Sequence, residues 1–167
     1  FSNVDPERVL EGTIADVRRE VEDGAGVVVQ SQPDIAEVGY GGLLLLDPGE
    51  VGVQTDVRTV ESHPIVDGVG FVPARAYVSG DLRRGTALAV ADDGSPMIAV
   101  DDVGAGRAVY YGYVEDDSAF KFDYRYPVFW RGVMRYAAGR TPIEELNRAT
   151  GETIEFGSET VVETPGG

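Results

Sequence analysis

The chain has 167 residues, 29 of them Asp or Glu against 14 Lys or Arg, giving a formal charge of -15 with a single His and no Cys. Thiol nucleophiles, disulfide frameworks and cysteine-based zinc sites are excluded, and the net field repels nucleic-acid phosphates, so no nucleic-acid partner is expected. A chain of this size forms a core without covalent staples, 43% hydrophobic residues argues against disorder, and no apolar run, Leu43 to Leu46 included, approaches a bilayer span, so no direct membrane insertion is expected.

The charge also has a telling make-up. Lys121 is the one lysine beside thirteen arginines, and the acids are scattered along the whole sequence. A coat of that kind suits concentrated salt, where the Debye length falls to roughly 3 Å at 1 M and carboxylate repulsion is screened. The composition therefore points to a halophilic source. Phe1 is not an initiator residue, and the sequence reads as a piece of a longer chain.

The first predicted element is a helix of about 17 residues, with Asp5 as N-cap, Pro6 in the first turn and Leu10, Ile14, Val17 and Val21 on one face up to Gly24. Gly24-Ala25-Gly26 then feeds Val27-Val28-Val29, a β-branched run that reads as a strand buried on both faces, and helix, glycine turn and buried strand together read as a unit of a parallel α/β sheet. Leu43 to Leu46 reads as a short buried strand closed by the turn Asp47-Pro48-Gly49. Four strand-like runs follow, Phe71 to Val78, Thr86 to Ala91, Met97 to Asp101 and Arg107 to Val114, too closely spaced for crossover helices and therefore expected to pair as antiparallel hairpins. A second helix is predicted from Pro127 to Gly139, a short one from the capping box Thr141-Pro142-Ile143-Glu144 to about Arg148, and β-type segments over Glu152 to Phe156 and Thr160 to Glu163.

His63 is the one side chain whose unperturbed pKa lies near neutrality. With Ser31 or Ser62 as nucleophile and Asp67 as orienter it could complete a hydrolase triad, but no G-x-S-x-G elbow accompanies it, and a His-Pro pair in a loop is explained by backbone direction alone. The glycine clusters Gly24 to Gly26 and Gly104 to Gly106 each precede a strand, so they read as turns and not as phosphate loops. The carboxylate pairs Asp92-Asp93, Asp101-Asp102 and Asp116-Asp117 lack the spacing of a cation loop, and neither a metal nor a cofactor is expected. Most aromatic residues of the segment from Tyr110 to Trp130 read as core. Phe120, Phe122 and Tyr124, alternating with polar residues, read as a partner-binding surface, with Ser31 and Tyr40 marking a second candidate surface for a ligand.

In order, Val27-Val28-Val29, Ser62-His63-Pro64-Ile65-Val66, Pro96 to Val100, Gly104 to Tyr110, an acidic loop with Ser118, and Tyr126-Pro127-Val128-Phe129-Trp130 opening a helix are similar to class I glutamine amidotransferase-like domains. The likeness is to those carried by large membrane-anchored proteins that also hold von Willebrand factor A domains, related to the aerotolerance (Bat) proteins. The resemblance covers about two thirds of the chain and implies a flavodoxin-like fold. That family's active members use a Cys on the elbow after a buried strand, where this chain offers Ser31 and no matching His-x-Glu.

The expectation is thus an α/β domain over residues 1–150 with a mixed, mainly parallel flavodoxin-like sheet, helices on its faces and antiparallel hairpins in its C-terminal half, followed over 151–167 by an extension strand or the start of a β domain. The expected function is non-catalytic, contacting proteins or neighbouring domains of a membrane-associated chain, in an extracytoplasmic or alternatively cytoplasmic setting. A Ser/His hydrolase built on Ser31, His63 and Asp67, and a small-molecule sensor with a pocket beside Ser31 and the Tyr40 to Gly42 turn, are the competing classes.

Overall fold

The computed structural model describes residues 1–114 and 118–139. The predicted helix after Thr141, the strands after Glu152, the 151–167 extension and the Asp116-Asp117 pair lie outside the described residues.

The expected long first helix is broken in two. Asp5 caps only a 3-10 turn over Pro6–Arg8, its carboxylate accepting from the Glu7 amide at 3.0 Å. Gly12, left-handed at φ 88, then interrupts the chain before α1, Thr13–Glu22. The interruption leaves Leu10 77% exposed, while Ile14, Val17 and Val21 pack inward. Strand β1 is Gly26–Gln30, β2 Leu46–Thr55, β3 Arg58–Thr59, β4 Ala74–Leu82, β5 Thr86–Val90, β6 Pro96–Val103 and β7 Gly106–Tyr111, and helix α2 spans Tyr126–Ala137.

The main sheet has the order β1-β7-β6-β5-β3, and β2 and β4 form a separate two-stranded antiparallel ribbon. Among the described strands only β1 and β7 run parallel, Gly26 opposite Arg107 and Gln30 opposite Tyr111. The mainly parallel, flavodoxin-like sheet is therefore overturned: β5, β6 and β7 are joined by the short turns Ala91–Ser95 and Gly104–Ala105 and so pair antiparallel. Parallel neighbours need a crossover of a dozen or more residues, which these two short turns cannot supply.

One expected turn lies inside a strand. Asp47-Pro48-Gly49 belongs to β2, which absorbs it as an irregularity between Pro48 and Val51 opposite Ser79-Gly80 of β4. Gly80, at φ 151, lies so close to the Asp47 carbonyl that no side chain fits there.

The β1–β7 pair explains its own all-apolar sequence. Val27, Val29, Ala108 and Tyr110 share one cluster with Val21 of α1, whereas Val28, Val109 and Tyr111 share another with Phe129 and Val133 of α2. One helix thus covers each face, and apart from the exposed Gly26 and the half-buried Val28 and Arg107 the residues of these strands are buried. The two glycine clusters serve as the turns they were read to be: Ala105 donates to the Glu22 carbonyl at 2.8 Å, and Gly106 abuts the Val21 and Ala25 carbonyls with no room for a Cβ. Among the described residues no helix is long and apolar enough to cross a membrane.

Candidate functional site

The hydrolase constellation does not assemble. Ser31 follows the carboxyl end of β1, its amide donating to the Tyr111 carbonyl at 2.7 Å and its side chain buried. His63 belongs to the other end: its ring meets Tyr136 edge-on at 5.0 Å, and the Tyr136 carbonyl accepts from Arg107, which stands opposite Gly26. The length of β1 therefore separates them, roughly 16 Å at about 3.3 Å per residue. Asp67 serves the loop itself, its Oδ1 accepting from the Ser62 hydroxyl and the His63 amide at 3.2 Å each, and His63 Nδ1 accepts from the Ile65 amide at 3.2 Å. Burial holds the imidazole below its usual pKa, Asp67 opposing and Arg107 adding to the shift. These bonds define a capped loop turn in which the Ser62 hydroxyl donates to Asp67 and His63 Nδ1 is taken by a backbone amide.

The remaining acidic pairs are used structurally. Asp92 Oδ2 accepts from the Asp56 amide at 3.1 Å, and Asp93 accepts from the Tyr77 hydroxyl and the Ser95 amide at 2.9 Å each, so the pair pins the β5–β6 turn to β2 and β4. Asp101 pairs with Arg84 at 2.9 Å. Among the described residues no three His, Asp or Glu side chains gather as a metal site would require.

At the carboxyl end of β1 the sequence expected an open surface, and the structure corrects this. Ser31 and Tyr40 are each 1% exposed. Ser31 continues the alternation of β1 onto the α1 face beside Tyr110, and Tyr40 lies edge-on to Phe1 at 5.6 Å. Burial, with Asp34 adding, pushes the Tyr40 hydroxyl up to about 12; burial does the same to Tyr110, tempered by the Ser31 hydroxyl. Above this buried layer a cleft of about 500 Å³, open to solvent, runs between Val9, Leu10, Ile14 and Arg18 on one wall and Gly39, Tyr40 and Gly41 on the other.

The exposed apolar surface is elsewhere. Phe120, also expected outside, is fully buried, because it closes an aromatic cluster with Phe71, Tyr113, Tyr126 and Phe129 at 5.4–5.7 Å. Phe122 and Tyr124 are 84% and 82% exposed. They continue into the outer face of α2: Phe129, Val133 and Ala137 recur every fourth residue and point inward, which turns Val128, Arg131 and Met134 outward. Val128 and Met134 are each 58% exposed.

This surface differs in charge from the rest of the chain. From Ser118 to Gly139 the bases Lys121, Arg125, Arg131 and Arg135 meet one acid, Asp123. Arg125 grips that carboxylate through two 2.7 Å bonds, and the Arg125 partnership holds the Asp123 carboxyl at about 2. Lys121 Nζ stands 5.5 Å from the Phe122 ring centroid and the Arg125 guanidinium 5.3 Å from that of Tyr124. Arg131 and Arg135 make no ion pair with a described residue. The sequence places Val128 and Met134 in the second helix without assigning them a face; the fourfold spacing of Phe129, Val133 and Ala137 and the local excess of bases are the signals that mark them as outer.

Comparison with known proteins adds the following. The profile of a domain of unknown function (DUF7408) matches residues 1–133, and that of a second domain of unknown function (DUF7406) matches residues 140–167. No curated protein sequence matches significantly. Among solved structures the fold is similar to cytoplasmic protein STM1381 from Salmonella typhimurium LT2, with a TM-score of 0.66 at 14% identity over 77% of this chain and 62% of that one. It is also similar to cytoplasmic protein STM3548 from Salmonella typhimurium, with a TM-score of 0.64 at 12% identity over 78% and 62%. A β-galactosidase from Rahnella sp. R3 gives 0.52 at 19% identity over 72% of this chain and 21% of that one. The chain thus spans less than two thirds of the length of either Salmonella protein, and at these identities the likeness is one of fold alone.

Proposed function

We infer that this chain, which belongs to the family described as a domain of unknown function (DUF7408), is a non-catalytic interaction module. On this reading it is related to the amidotransferase-like domains but lacks their catalytic side chains, and it docks through Phe122, Tyr124 and the outer face of α2 onto a protein or a neighbouring domain. The observation that carries the proposal is the pair of aromatic rings more than 80% exposed, close in sequence to the exposed Val128 and Met134 of α2, in a net-basic stretch of an acidic chain. Large exposed apolar side chains gathered in one place and rimmed by charge are typical of a docking surface.

The proposed setting is a larger membrane-associated protein of a halophile. The acidic coat supports the salt habitat, and the second family profile beginning at residue 140 supports a further module in the same chain. The sensor reading keeps one supporting observation, the cleft beside Tyr40.

A photo-crosslinking amino acid at position 122 or 124 of the full-length protein, in its native cells, tests the proposal. The expected result is a discrete set of products, from one partner or from one region of the same chain, that a probe at the equally exposed Leu10 does not give. Identical products from all three positions would sink the reading.

A further inference from the structure

Resting on that docking reading, we propose that the occupant of the outer α2 face is the chain's own following segment, residues 140–167. Three observations converge on it. The first is charge: Arg131 and Arg135 stand on α2 with Asp123 already held by Arg125, whereas residues 140–167 carry six glutamates against Arg140 and Arg148. In a chain of net charge -15 this pairs its most basic stretch with an acidic one. The pairing also selects against the rest of the surface, where like charges meet.

The second is composition. The exposed Phe122, Tyr124, Val128 and Met134 need an apolar counterpart, and the segment contains Ile143, Leu146, Ile154, Phe156, Val161 and Val162 interleaved with its acids. The glutamates can meet the arginines while the apolar side chains cover the rings, the division between rim and centre that interfaces show.

The third is reach. The segment begins at the residue following Gly139, beside the carboxyl end of α2, and the exposed stripe runs back along a helix of 12 residues, about 18 Å at 1.5 Å per residue. Twenty-eight residues, counting 140 to 167, extend to roughly 90 Å at about 3.3 Å each, so the far end of the stripe at Tyr124 is within range several times over. A tethered segment also acts at roughly millimolar effective concentration, which a free partner would have to match.

Because the chain has no Cys, Ser158→Cys supplies a unique site for a nitroxide label in the full 167-residue chain, and paramagnetic broadening of backbone amides reads what the label approaches. The expected result is loss of amide intensity along residues 122–134, reaching the Phe122 end, with α1 on the opposite face of the sheet left sharp. Arg131→Glu/Arg135→Glu, at surface positions that leave the core intact, is expected to restore the intensity at 122–128, and this charge-reversed chain reads what tethering alone contributes. Equal broadening of α1 and α2, no broadening at 122–128, or broadening unchanged by the charge reversal each overturns the assignment. If it is overturned while crosslinks from position 122 still reach a second protein, the docking reading stands and the occupant is supplied in trans; if those crosslinks are missing as well, both fall.

Discussion

Replacing Phe129 and Phe122 by alanine, one at a time, separates core from surface in a segment whose sequence makes them look alike. Phe129 is fully buried, with the rings of Phe71, Tyr111, Phe120 and Trp130 at 5.6–5.9 Å. An aromatic side chain that removes about 150 Å² from water at about 25 cal/mol/Å² contributes close to 4 kcal/mol, within the roughly 3–5 kcal/mol measured for truncating buried Phe. Phe122 is 84% exposed, so the same arithmetic leaves it roughly 0.6 kcal/mol. With about 2–4 °C of melting temperature per kcal/mol for a domain of this size, Phe129→Ala should melt roughly 8–16 °C lower and Phe122→Ala within about 2 °C of the parent. Thermal and urea melts followed by circular dichroism in molar KCl measure both. If the two variants fall within about 1 kcal/mol of each other, the placement of α2 and the identity of its outer face are wrong.

Other perturbations test other parts of the structure. Tyr40 and Tyr110 have folded-state pKa values of about 12, against about 10 in an unfolded chain. The native state therefore holds these protons more tightly, and the stability this gives is full below pH 10 and is lost as the pH rises from 10 toward 12. Tyr40→Phe or Tyr110→Phe should move the alkaline unfolding midpoint upward; an unchanged or lower midpoint counts against burial of these hydroxyls. Asp92→Ala removes the acceptor shared by the Thr55 hydroxyl and the Asp56 amide and is expected to lower stability by about 1–3 kcal/mol in a urea melt. Moving the protein from molar to millimolar KCl should lower its melting temperature as screening among its 29 carboxylates is withdrawn; a temperature equal or higher in low salt contradicts the halophile reading.

What was legible in the sequence and what was not divide along a physical line. Local signals were readable: the β-branched run of β1, the proline opening α2, and the glycine pairs at the tight turns all occupy the places expected of them. Partner choice was not. Val27 to Val29 and Val109 to Tyr111 are apolar because a helix covers each face of their parallel pair, but burial on both faces is a property of one pair and does not fix the direction of the others. The short links on either side of β6 carried that information, and they outweigh the resemblance to a mainly parallel fold.

The same distinction governs the candidate site. Ser31 and Tyr40 carry polar or amphipathic side chains and Phe120 alternates with polar neighbours, which favours reading them as exposed, yet tertiary contacts from Tyr110, Phe1 and the Phe129 cluster bury all three. Val128 and Met134 are the opposite case, apolar side chains that the helical period turns outward. A residue's own chemistry states what burying it would cost, whereas its phase on an element decides whether it is buried. On α2 the phase is set by Phe129, Val133 and Ala137, and the side chains left outside are apolar ones ringed by arginine. That arrangement carries a solvation cost with no structural return inside residues 1–139, and contact with an acidic, apolar-bearing segment would offset it.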